Sequence, residues 1–160
     1  MRCELEVQNA IEQYGDMIRR ICFVHMKKEA DVEDVFQNVF FKYATKDIVF
    51  TSQEHEKAWL IHVSINECQS LLRRWFQRNV TLCEDLSVYG MDTTPDYPEL
   101  ITHVLKLKES YRDVIYLHYY EGYKISEIAN ILQRKENTIH TWMKRAKAEL
   151  KDMLGGDSLA

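Results

Sequence analysis

GYKISEIANILQRKENTIHTWMKRAKAEL, residues 122–150, decides the fold. Its apolar positions predict two helices around a three-residue turn. In the first, Ile125, Ile128, Ala129 and Leu132 fall on one stripe of a 3.6-residue period. Ala129 is small enough to let a second helix cross closely. Gln133, Arg134 and Lys135 form the turn, and the second helix begins near Glu136. Its stripe is Ile139, Met143, Ala146 and Leu150, and its opposite face presents Asn137, Thr141, Lys144 and Ala148, flanked by His140, Arg145 and Lys151. A short helix, a tight turn and a second helix with polar tips outward follow the helix-turn-helix plan.

Any αα-hairpin needs one apolar stripe per helix, so charge must carry the functional reading. Between residues 134 and 151, Arg134, Lys135, Lys144, Arg145, Lys147 and Lys151 face only Glu136 and Glu149. A surplus of cations here, on a chain whose formal net charge is −4, suits a helix that lies in a DNA major groove. Lys and Arg would neutralise phosphates while Asn137, His140 and Thr141 reach base edges. The acidic remainder excludes a protein that coats nucleic acid with its whole surface.

The 160 residues suffice for one ordinary domain or two small ones. With five Gly and two Pro, the composition favours an all-α fold over a turn-rich β fold. Cys3, Cys22, Cys68 and Cys83 are scattered without a CxxC pair, which fits reduced thiols better than a disulfide framework. Cys22 and His25 stand one helical turn apart, but no second pair at ligand spacing supports a zinc site, so no metal and no cofactor are expected. Neither a signal peptide nor a membrane span is legible, which points to a soluble cytoplasmic protein without membrane insertion.

Charge divides the chain into three. Residues 79–98 hold Glu84, Asp85, Asp92 and Asp96 with no Lys or Arg, and also Gly90, Pro95 and Pro98. This reads as a flexible acidic linker between helical modules at 1–78 and 99–154, the second a four-helix domain containing the helix-turn-helix. In the first module a helix from Leu5 to about Met26 is expected to turn Ile11, Ile18, Ile21 and Cys22 inward. Asp31 is expected to cap a second helix that runs to about Ala44. After a loop over residues 45–53 that contains Phe50, a long helix from Glu54 to about Arg78 carries Trp59, Leu60, Val63 and Leu71 as core residues.

Two surfaces of this module stand out. The second helix buries Val32, Val35, Phe36, Val39, Phe40 and Tyr43 on one broad side, leaving Asp34, Gln37, Asn38 and Phe41 on the other. A large aromatic among outward polar groups suits a docking face built on one anchor. At the end of the third helix, Arg73, Arg74 and Arg78 interleave with Trp75 and Phe76. Rings on which bases stack, beside cations that follow a backbone, suit single-stranded nucleic acid; the same rings could equally close the core.

With these stretches in view, the chain resembles the small extracytoplasmic-function group of bacterial RNA polymerase sigma factors, in the sigma-70 family. ADVEDVFQNVFFKYA and WLIHVSINECQSLLRRWFQR resemble that family's region 2, and SYRDVIYLHYYEGYKISEIANILQRKENTIHTWMKRAKAEL resembles its region 4. The resemblance implies that Asp34, Gln37, Asn38 and Phe41 bind the clamp helices of the polymerase β′ subunit. It implies that the 45–53 loop with Phe50, and the helix around Asn66, Arg73, Arg74 and Trp75, read and hold the opened minus-ten element. Opening costs roughly a few kcal/mol per extruded base, which a base pocket and backbone contacts could offset. Region 4 would meet the β flap and read the minus-thirty-five duplex through Arg134, Lys135, Asn137, His140, Thr141, Lys144 and Arg145. The linker would thread toward the RNA path, the free protein would be a monomer, and an anti-sigma factor would be a further partner.

Some positions depart from the family. Lys124 and Lys135 stand where Ser or Thr usually cap the two helices, Gln133 where the turn usually has Gly, and Asn38 where Glu is common. His140, Thr141 and Trp142 replace commoner choices, so the promoter sequence does not carry over from relatives.

Two other classes compete. A stand-alone helix-turn-helix regulator would need a dimer interface and palindromic sites, and would leave the docking face of the second helix unused. An enzyme would need a paired acid and base or a phosphate loop. Glu33 and Asp34 are adjacent and diverge on a helix, and no glycine-rich loop, GxSxG or HExxH is present.

Overall fold

The computed structural model describes residues 1–26, 28–79 and 103–155, with the backbone alone for 75–79. No strand occurs among the described residues. The chain divides into two compact units, Met1–Thr94 and Pro95–Ala160. Beyond Asn79, the acidic stretch expected as a linker lies outside the described residues.

In the first unit α1 (Glu4–His25), α2 (Glu29–Thr45) and α3 (Gln53–Asn79) each pack against the other two. Ile18, Ile21 and Cys22 of α1, Val32, Val35 and Val39 of α2, and Leu60, Ile61 and Cys68 of α3 are buried together. Each large apolar side chain removed from water in this way contributes about 1.5–3 kcal/mol. Ion pairs tie the helices at their margins. The Arg19 guanidinium pairs with Glu33 and lies 4.2 Å from the Phe36 ring centroid. Lys42 on α2 pairs with Glu67 on α3, a carboxylate that is otherwise buried.

Several expected positions shift. Ile11 points outward, at 37% exposure, because the α1 stripe runs through Ala10, Tyr14 and Met17 and leaves Ile11 about 100° round the helix. Asp31 sits within the first turn of α2 and is not its cap; the cap is Lys28, whose carbonyl accepts the Asp31 and Val32 amides. Asp31 still places its charge at the positive end of the helix. The α3 helix begins before Glu54, because Ser52 Oγ accepts the His55 amide at 3.1 Å and the Ser52 carbonyl accepts the Glu56 amide. Trp59, Val63 and Leu71 are only half-buried; Ile65, Cys68 and Leu72 fill the interior beside Leu60 and Ile61.

In the second unit α4 (Glu109–Ile115) runs into a π-helical turn (Tyr116–Tyr120), followed by α5 (Ile125–Leu132) and α6 (Glu136–Met153). Val114, Leu117, Ile128, Ile139, Ala146 and Leu150 form its interior. The expected α6 stripe is buried in full. On α5, Ile128 and Ala129 are buried as expected, whereas Ile125 and Leu132 are half-buried and Ile131 turns inward. Gly122 holds φ 78°, a left-handed conformation that suits glycine, and redirects the chain from the π-helical turn into α5.

Candidate nucleic-acid interface

The helix-turn-helix is closed by backbone hydrogen bonds and one carboxylate rather than by the side chains of its N-cap residues. Lys124 and Lys135 occupy the N-cap positions of α5 and α6, and neither side chain makes a cap hydrogen bond. On α5 the Glu127 carboxylate accepts the Lys124 amide at 2.9 Å instead. At the other end of α5, Gln133 takes the left-handed conformation, φ 54°. Its amide reaches the Asn130 carbonyl at 3.3 Å, and the Arg134 amide reaches the Ala129 carbonyl at 3.0 Å. That pair of bonds is the Schellman closure, made here without glycine.

The closure directs α6 so that its stripe faces inward and its other side faces solvent. Arg134, Lys135, Asn137, His140, Thr141, Lys144 and Arg145 are all exposed, and from Asn137 to Arg145 they share the outward side of α6. Thr141 Oγ1 donates to the Asn137 carbonyl at 3.0 Å, leaving its oxygen lone pairs free to accept. Trp142 is half-buried and helps seat the helix. Such a helix fits a major groove about 12 Å wide, cations toward phosphates and short polar groups toward bases.

On the first unit, Asp34, Gln37, Asn38 and Phe41 are exposed along the outer side of α2, Phe41 at 68%. Asp34, Gln37 and Asn38 line a depression of about 380 Å³ together with Leu71 and Arg74 of α3. Arg74 therefore lies beside the α2 face. Arg73 and Asn66 are exposed elsewhere on α3, with Asn66 Nδ2 3.0 Å from His62 Nε2. Trp75 is on α3, but its side chain lies outside the described residues.

Phe50 is half-buried inside an aromatic cluster. Its ring is 6.1 Å from Tyr43, nearly parallel, 5.7 Å from Trp59 and 5.3 Å from His55. Burial pushes the Tyr43 hydroxyl above its ordinary pKa and the Glu56 charge adds to this, while Arg2 opposes it, so Tyr43 stays neutral. Among the loop residues Val49 is the most outward apolar group, at 88% exposure. Arg2, Leu71 and Val49 belong to these surfaces and were not legible in the sequence as site residues.

Among the described residues no cluster of His, Cys, Asp or Glu could hold a metal, and no helix is long and apolar enough to cross a membrane. Two helical units, one of them ending in an exposed basic recognition helix, define a helix-turn-helix DNA-binding protein. Comparison with known proteins narrows that class: residues 10–77 match the Sigma-70 region 2 model and residues 99–150 match the Sigma-70 region 4 model. The chain belongs to the sigma-70 family of RNA polymerase sigma factors, in its extracytoplasmic-function group.

It is 23% identical over 157 residues to the ECF RNA polymerase sigma factor BldN of Streptomyces coelicolor, covering 92% of this chain and 60% of that protein's length. It is also 23% identical to the RNA polymerase sigma factor SigV of Bacillus subtilis, covering 88% of this chain and 86% of the relative. The fold resembles that of the sigma factor RpoE from Bartonella quintana, solved in complex with the anti-sigma factor NepR. The TM-score is 0.75 at 20% identity, over 95% of this chain and 98% of that one.

Proposed function

We propose that this sigma factor divides its work between modules at 1–78 and 99–154, joined through 79–98. The first would dock on the β′ clamp helices of core polymerase through Asp34, Gln37, Asn38 and Phe41. Its α3 and the loop before it would hold the opened minus-ten element, with Asn66, Arg73 and Trp75 toward DNA. Arg74, which shares the depression with Asp34, is assigned to the polymerase side. The second module would meet the β flap and read the minus-thirty-five duplex with the outward side of α6.

The observation that carries this reading is the exposure of Phe41. A phenyl ring at 68% exposure in the middle of a polar helix face is what a partner would cover as an anchor. The protein would act without catalysis of its own, in the cytoplasm, as a monomer when free. The anti-sigma factor seen on the RpoE structure supports a partner of the same kind here.

Fluorescence anisotropy of the labelled full-length protein tests the division. Tight binding to core polymerase with weak binding to duplex DNA alone is expected. Tight dimeric binding to duplex DNA without polymerase would favour a stand-alone regulator.

A further inference from the structure

The loop between α2 and α3 is held from outside by a residue at the far end of the sequence. The Arg2 amide donates to the Ala44 carbonyl at 2.9 Å. Its guanidinium donates Nη1–H to the Lys46 carbonyl at 2.9 Å and Nη2–H to the Ile48 carbonyl. The same guanidinium carbon lies 4.6 Å from the Tyr43 ring centroid and 4.9 Å from that of Phe50. One side chain thus uses both arms of its fork on loop carbonyls while its face covers two rings.

Each contact restrains a different part of the loop. The two carbonyl bonds fix the backbone on either side of Asp47. The contact with Phe50 holds that ring against Tyr43 and Trp59, so Phe50 anchors the loop inward. With residues 46, 48 and 50 engaged, Val49 projects into solvent at 88% exposure, and Ser52 ends the loop by capping α3. Lysine could supply the charge but not the fork.

We infer that Arg2 is a positioning residue for minus-ten recognition: it sets the conformation of residues 46–52, with Phe50 as inward anchor and Val49 as the tip offered to DNA. The inference rests on the reading that this loop meets the opened minus-ten strand. A base pulled from its stack gains only from a surface already in shape. A loop free to sample many conformations would spend part of its contact energy on ordering itself.

The test uses holoenzyme reconstituted from core polymerase and full-length protein, transcribing a promoter library randomised over the minus-ten element. Wild type, Arg2→Ala, Arg2→Lys and a variant with residues 46–51 replaced by Gly and Ser are compared. For Arg2→Ala, core binding is expected within about twofold of wild type, with output from the best promoters down about tenfold or more. Its base preference across the library should flatten. Arg2→Lys should flatten the preference too, and it carries the test should Arg2→Ala melt below the assay temperature. An unchanged preference profile in both Arg2 variants, with the loop replacement altering it, would overturn the role of Arg2 alone. If the loop replacement also left the profile unchanged, the reading of the loop itself would fall.

Discussion

Arg74 on α3 and Asp34 on α2 line the same surface depression, together with Gln37, Asn38 and Leu71. An arginine expected from sequence to follow the minus-ten backbone therefore stands beside the outer face of α2. Replacing Arg74 with Ala should weaken core-polymerase binding by about tenfold, the scale of an interface anchor. Binding of the isolated protein to minus-thirty-five duplex should not change. Arg73→Ala should show the reverse emphasis, with core binding near wild type and fewer open complexes. Equal effects of the two variants on core affinity would remove the distinction.

Phe41 offers the cleanest separation of fold from function. It lies on the outer side of α2, while Phe40 and Val39 beside it are buried. Phe41→Ala should change unfolding free energy by no more than about 0.5 kcal/mol, as for an ordinary surface substitution. Core-polymerase affinity should fall by about tenfold or more. Urea unfolding and anisotropy titration measure the two quantities. A variant that unfolds would make Phe41 a core residue after all.

Gln133 carries a backbone conformation that glycine adopts freely. At φ 54° a side chain costs about 1–2 kcal/mol, offset in part because glycine is freer in the unfolded chain. Gln133→Gly should therefore raise stability by about 0.5–1 kcal/mol in thermal or urea unfolding. Duplex affinity should stay within about twofold, since the Schellman bonds to Ala129 and Asn130 come from the backbone. A loss of stability would mean that the Gln133 side chain makes a compensating contact.

Lys144 is exposed on the outward side of α6, one turn beyond Thr141 and His140. Its removal should lower affinity for duplex promoters of every sequence alike, and reduce the slope of log affinity against log salt by about 0.9. Asn137→Ala, by contrast, should relax base preference and leave the salt slope alone. An unchanged salt slope for Lys144→Ala would place Lys144 off the DNA.

The helix-turn-helix was legible because four buried positions, Ile139, Met143, Ala146 and Leu150, recur at one helical period with little else apolar between them. The outer face of α2 was legible for the same reason, Phe41 standing alone against a polar background. Periodicity failed where apolar residues crowd the boundary of a stripe: Ile11 was expected inward, yet Ala10, Tyr14 and Met17 hold that side of α1. It failed too on α3, where Leu71 and Leu72 are neighbours and only Leu72 is buried. Sequence reading missed Arg2 altogether, since the carbonyls it holds are 44 and 46 residues away. No local pattern records such a contact. The α3 helix starts at Gln53, one residue before the expected Glu54, because the Ser52 hydroxyl caps its first turn.

Promoter-dependent transcription by purified core polymerase is the most direct measurement. Core polymerase plus this protein, given fragments of the native genome, should produce transcripts whose start sites share two upstream elements at a constant spacing. Core polymerase alone should not produce them. The Phe41→Ala protein should yield about tenfold fewer at limiting concentration. The absence of any promoter-dependent transcript from any native fragment would contradict the assignment of these two helical modules to promoter recognition.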